Sequence, residues 1–128
     1  MEEKKKMPER QIKVKIKDNE YLCEFPTTGG LMEIEVLKTQ LARGQYSEIS
    51  NAGTVNSGYS RLLIDMIATI NVLIPKLRKD MNVASISELH PIDSKTILQV
   101  YLKTILPWLN EWFIILNSDE EEIAKDAI

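Results

Sequence analysis

An α+β fold, a small N-terminal antiparallel β-hairpin packed on a mostly helical body of four to five helices, is what this 128-residue sequence predicts. Three observations carry that expectation. Ile12, Val14 and Ile16 alternate with Lys13, Lys15 and Lys17, the period of two of a half-buried strand. The series Leu62, Leu63, Met66, Ile67, Ile70, Val72 and Leu73 is apolar around too much of a helical turn for a surface helix, so that helix is central. Asp93 to Asn117 holds both tryptophans and one of the two phenylalanines at helical spacing.

Taken in order, the first strand is followed by Asp18-Asn19, residues that tolerate the positive φ of a tight turn. Tyr21, Cys23 and Phe25 then alternate with Glu20, Leu22 and Glu24. Lysines opposite glutamates on the outer face favour pairing of the two runs. Cys23 falls on the inward face as a small core residue. Pro26 ends the ladder, and the threonines at 27 and 28 are ready N-caps. The next helix places Ile34, Leu37 and Leu41 on one face and has Gly44 as its C-cap. A further turn is expected over Gln45 to Ser50, then a polar loop, NAGTVNS, over 51–57.

Ser57 is the expected cap of the central helix, which Pro75 kinks or ends. Ser85 with Glu88 forms a capping box for a short helix. His90-Pro91 ends that helix and Asp93 caps the last long one, which Pro107 should break. Ile97, Tyr101, Ile105, Trp108 and Trp112 form its apolar stripe. Such a stripe is either an aromatic-rich core or, where part of it is exposed, a hot-spot surface. Either Ser118 with Glu121 caps a final short acidic helix, EEEIAKDAI, or the tail is disordered. The expected division is a charged arm over 1–10, one globular domain over 11–117 (hairpin 11–25, helical body 31–117) and an acidic tail over 118–128.

Composition places the chain among ordinary soluble globular proteins, at 44% hydrophobic and 27% charged residues. One cysteine precludes an internal disulfide and fits a reducing compartment. The opening MEEKKKMPER has no apolar run behind it, and no segment is long and apolar enough to span a bilayer, so neither a signal peptide nor a membrane is expected. Net charge is −3, unevenly spread: residues 1–17 hold seven Lys/Arg against three Glu, and residues 118–128 hold five acids against one lysine. Charged ends of this kind are solvated tails or complementary docking segments in an assembly.

Reactive chemistry is hard to assemble from these residues. With one histidine and one cysteine, no zinc set of those ligands can form, and His90 has no nucleophile signature around it. Gly29-Gly30 lacks the Gly-Lys-Ser/Thr of a phosphate loop, and Asp119 to Glu122 lacks the alternating ligands of a calcium loop. The basic arm with Tyr21 and Phe25 could touch nucleic acid, but the chain is acidic overall and those aromatics alternate inward. The expectation is therefore a protein that is not an enzyme, takes no cofactor and binds no nucleic acid.

The order of parts, a hairpin of the type IKVKIKDNEYLCEFP, a glycine-bearing break, a helical body and a charged tail, resembles the tail assembly chaperones of long-tailed bacteriophages. The stretches EFPTTGGLMEIEVLK and VYLKTILPWLNEWF carry the resemblance, which covers most of the chain in layout. It implies a protein of the host cytoplasm that coats the tape measure protein before the tail tube polymerises, through helical surfaces and an N-terminal strand region. That family has no fixed binding motif, so none of its residues is carried over. What the resemblance implies is burial of surface on a partner; Trp108, Trp112 and Tyr101 are then candidates to accept a partner helix, and Lys13 and Lys15 to flank a partner strand. Homo-oligomerisation or membership of a larger assembly accords with such surfaces. Two other readings fit: a virion structural protein, such as a head–tail connector or ring component, and a small inhibitor of a host protein.

Overall fold

Period-two alternation produces the first element of the computed structural model, which describes the backbone of residues 7–126 and the side chains of residues 7–118. β1 (Gln11–Ile16) pairs antiparallel with β2 (Asn19–Glu24), with Ile12 opposite Cys23, Val14 opposite Tyr21 and Ile16 opposite Asn19. Val14, Ile16, Tyr21 and Cys23 are buried against the helices. The turn is a two-residue loop, Lys17-Asp18, one position earlier than expected, and Lys17 itself takes the left-handed conformation at φ 57°. The inward pairs set that register, because a slip of one residue would turn the whole apolar face to water. Lys17 also pairs with Asp93 across 3.3 Å.

Thr27 caps α1 (Thr28–Leu41), its Oγ1 accepting the Gly30 N–H at 3.1 Å. Gly30 is required there: a Cβ on it would lie 2.9 Å from Pro26 Cβ and 3.6 Å from Val72 Cγ1. The helix ends with Arg43 N–H bonded to Gln40 carbonyl and Gly44 N–H to Thr39 carbonyl. Arg43, at φ 53°, thus holds the left-handed position expected of Gly44, which follows it at φ 75°. The expected turn after α1 is α2 (Tyr46–Asn51).

α3 (Val55–Leu73) is the central helix, with Met66, Ala68 and Ile70 wholly enclosed. Its cap is Thr54 rather than Ser57. The two residues form a reciprocal box, Ser57 N–H to Thr54 Oγ1 and Thr54 N–H to Ser57 Oγ, each at 3.0 Å, so the polar loop is shorter than the sequence suggested. Pro75 ends α3 by taking the first position of α4 (Pro75–Asp80), where a missing N–H costs nothing. The Ser85/Glu88 capping box forms as expected, around a single 3₁₀ turn, Ile86–Glu88.

α5 (Pro91–Val100) is capped by His90, whose Nδ1 accepts the Ile92 N–H at 3.1 Å; Asp93 lies inside the first turn. Pro107 does not break the chain's last helix. A π-helical turn over Tyr101–Ile105, closed by Leu106 N–H to Tyr101 carbonyl, leads directly into α6 (Leu106–Asp126). The wider turn makes room for a proline ring that a tight α-turn would exclude. α6 runs unbroken past Ser118, so no new helix is capped there. Residues 1–6 of the expected arm and residues 127–128 of the expected tail lie outside the described residues.

Candidate interaction surface

The aromatic stripe lies mostly inside the fold. Tyr101 is 4% exposed and Trp108 7%, so neither can present a face to a partner, and the surface expected from them is corrected to core. Trp112 is half-buried. Phe25 organises the group: its ring meets Trp108 edge-on at 5.9 Å, Trp112 at 5.0 Å and Phe113 at 6.1 Å. The indole N–H groups of Trp108 and Trp112 both donate to the Glu9 carbonyl, at 2.6 and 3.1 Å. Met7–Arg10, the described part of the expected arm, is therefore seated beside α6. No side-chain pattern announces a backbone acceptor, which is why the sequence left these indoles available.

Lys13 and Lys15 are exposed on the outer face of the hairpin, as expected of them, opposite Leu22 and Glu20. Phe25 N–H donates to Arg10 carbonyl at 2.8 Å, one pair beyond the ladder. Antiparallel alternation then leaves the backbone groups of Lys13, Lys15, Glu20 and Leu22 directed outward along the two edges. Lys13 and Leu22 also line a groove of about 430 Å³ beside Pro75 and Lys76.

Directly after Trp112, α6 carries Phe113, Ile114 and Leu116, which are 37%, 61% and 43% exposed. Three large apolar side chains so close together on one helix are a surface in search of cover. The sequence run FIIL contained them, but it reads equally well as core.

Asp65 on α3 gathers polar partners from three helices. It accepts from Tyr46 Oη at 2.7 Å and Arg61 Nη1 at 3.4 Å, with Lys38 Nζ at 3.8 Å. Burial raises the Tyr46 hydroxyl's pKa, and the hydrogen bond to Asp65 raises it further. For Lys38, burial acts to lower the pKa, but Glu35 and Asp65 outweigh it and the result is raised. Burial also raises Tyr101, which lines a cavity of about 210 Å³ with Lys38, Asp65 and Thr69. Each acid here has a basic or hydroxyl partner, which fits a structural network tying α1 and α2 to α3.

Among the described residues no group of three or more His, Cys, Asp or Glu is placed to hold a metal ion, and no helix is long and apolar enough to cross a membrane. Comparison with protein-family models, curated proteins and solved structures finds no match.

Proposed function

We propose that this chain is a non-enzymatic protein-interaction module that serves as a bacteriophage tail assembly chaperone, covering the tape measure protein in the host cytoplasm until the tail tube forms. The observation that supports it most is the exposed apolar run Phe113, Ile114 and Leu116 on α6. A helix with an uncovered apolar face can accept an amphipathic partner helix, and a tape measure protein is a long coiled coil that supplies such faces. The half-buried Trp112 borders the run and would form its inner margin. The outward backbone edges at Lys13 and Lys15 offer a second place, where a partner strand could add.

Size-exclusion chromatography with light scattering tests this directly, using the full chain mixed with a coiled-coil segment of a tape measure protein. A stable complex is expected, and joint Ile114→Ser and Leu116→Ser substitution should weaken it roughly 10-fold or more, since each side chain contributes a sizeable apolar area. The melting temperature should hardly change, because both residues are exposed. A chain that stays monomeric and ignores the coiled coil would sink the reading. The opposite charge of residues 1–17 and 118–128 favours one other reading, a ring-forming virion component. The same light scattering distinguishes it, as a discrete closed oligomer of the chain alone.

A further inference from the structure

The hairpin has two edges, and they differ. Residues facing each other across an antiparallel pair bond at alternate positions, and the Phe25 N–H to Arg10 carbonyl bond at 2.8 Å fixes the phase. Tyr21 and Cys23 therefore spend their backbone groups on β1, while the N–H and C=O groups of Glu20, Leu22 and Glu24 point away from it. None of these outward groups has a backbone partner among the described residues. α5 packs against β1, but among the described residues no element other than β1 runs along β2. An open strand edge is a template for a further strand.

The side chains say which strand fits. On the outer face β2 presents Glu20, Leu22 and Glu24, all exposed, Leu22 at 52%. Neither carboxylate takes part in an ion pair among the described residues, although Lys15 stands opposite Glu20. Glu24 Oε2 accepts the neutral Gln11 amide at 3.2 Å. Beside the edge, the groove of about 430 Å³ separates Tyr21 and Leu22 from the start of α4, where Ile74 and Pro75 form an apolar wall. A strand laid along β2 places alternate side chains on the two faces. Its outer residues meet a glutamate, a leucine and a glutamate, and opposite charges directly across a strand pair attract while like charges repel. Its inner residues meet Ile74 and Pro75. A second copy of this chain fits less well. Its β2 would gather four glutamates on one face, and its β1, with Lys13 and Lys17 on the glutamates, would set Lys15 against Leu22.

We propose that the β2 edge takes an extended segment of a partner protein with the pattern basic–apolar–apolar–apolar–basic, paired antiparallel. The two basic side chains lie against Glu20 and Glu24, the central apolar one covers Leu22, and the other two enter the groove over Ile74 and Pro75. The residue opposite Leu22 exchanges both backbone hydrogen bonds with it. This is the edge away from Lys13 and Lys15, and no residue of α6 takes part, so the site is independent of coiled-coil binding there.

The test is an NMR titration of the full chain with acetyl-Lys-Val-Leu-Val-Lys-amide, following the backbone amides. Saturable downfield shifts of the Glu20 and Leu22 N–H signals are expected, with slower hydrogen exchange at both. Acetyl-Glu-Val-Leu-Val-Glu-amide should bind roughly 10-fold more weakly, since two attractive pairs become repulsive. Joint Glu20→Gln and Glu24→Gln substitution should remove that preference, and because both residues are exposed the fold is kept. Methylation of the peptide's leucine nitrogen should abolish binding, because that N–H belongs to the new ladder. Absence of saturable shifts would overturn the proposal, as would equal affinity for the two peptides or binding that survives the methylation. So would a dimer of the chain alone in which the Glu20 and Leu22 amides are already protected. Peptide binding by a chain that ignores the coiled coil would uphold this proposal and remove the chaperone reading.

Discussion

Trp108 and Trp112, one helical turn apart on α6, donate to the same oxygen, the Glu9 carbonyl, at 2.6 and 3.1 Å. A carbonyl has two lone pairs and can accept both. Removal of one indole therefore leaves Glu9 with a protein donor, whereas removal of both leaves its carbonyl with none. Trp108→Phe and Trp112→Phe together should cost more than the sum of the single changes, by about 1 kcal/mol. Urea unfolding of the four proteins in the cycle checks this; strict additivity would mean that the indoles do not share the acceptor.

Gly29 and Gly30 are neighbours in the first turn of α1 with opposite requirements. A Cβ on Gly29 meets nothing nearer than 3.9 Å, while one on Gly30 meets Pro26 Cβ at 2.9 Å. Gly29→Ala should stabilise by roughly 0.5 kcal/mol, since alanine restricts the unfolded chain and favours helix. Gly30→Ala should destabilise by about 1–3 kcal/mol through overpacking against Pro26 and Val72. Thermal melts of the pair should move in opposite directions.

Burial pushes the Cys23 thiol up to about 12 from an ordinary value near 9.0. A folded-state pKa above the unfolded one contributes stability that is fully present below pH ~9 and is lost as pH rises toward ~12. Burial of Tyr21, with its hydrogen bond to Asp80, raises that hydroxyl as well and adds to the alkaline loss. Unfolding free energy should fall by up to about 1.4 kcal/mol per pH unit above pH ~9 on account of Cys23 alone. In Cys23→Ala the fall should be shallower and begin nearer the tyrosine range. An unchanged slope would show that the thiol does not ionise on unfolding.

The π turn and Pro107 should depend on each other. Lys103 is exposed within the wide turn, and deleting it would draw the helix back to α geometry without displacing Ile105 or Trp108 from the core. The proline ring would then collide with a carbonyl of the preceding turn, at a cost of about 3 kcal/mol. Deletion of Lys103 alone should be strongly destabilising, and Pro107→Ala should recover most of the loss. In the full-length chain, where the wide turn persists, Pro107→Ala should change stability by less than about 1 kcal/mol, because the nearby Leu102, Lys103 and Thr104 are open to water. Circular dichroism melts of the three variants separate these outcomes.

The parts of this fold that obey a simple period were legible in the sequence. Val14, Ile16, Tyr21 and Cys23 face inward as alternation requires, and Met66 and Ile70 lie at the centre of a helix whose apolar arc had announced it. Errors arose where two local patterns compete. Thr54 and Ser57 form a box in which either could be taken for the cap, and Asp18-Asn19 carries a stronger turn signal than Lys17-Asp18. Pro107 read as a break because a π turn has no signature of its own in composition. The candidate surface was legible only in part: Lys13 and Lys15 are on the outside, but Glu9's backbone and the ring of Phe25 cover the aromatics expected to be free. Asp65's role depends on Lys38, Tyr46 and Arg61 meeting in space, which periodicity along one helix does not reveal.

The Glu9–Trp108 hydrogen bond joins residues 99 positions apart. On a ribosome the hairpin is thus made long before the helix that covers its start, and at ordinary elongation rates the interval is roughly 5–20 s. Two strands alone are barely stable in water, so the hairpin first depends on α5, which packs on β1, and on Leu77, Met81 and Leu89, which share a hollow with Ile16 and Tyr21. The ends of the hairpin are consequently secured last: a chain truncated before Trp108 keeps α5 against β1 but leaves the Glu9 carbonyl without its indole partners and the Phe25 ring without those of Trp108, Trp112 and Phe113.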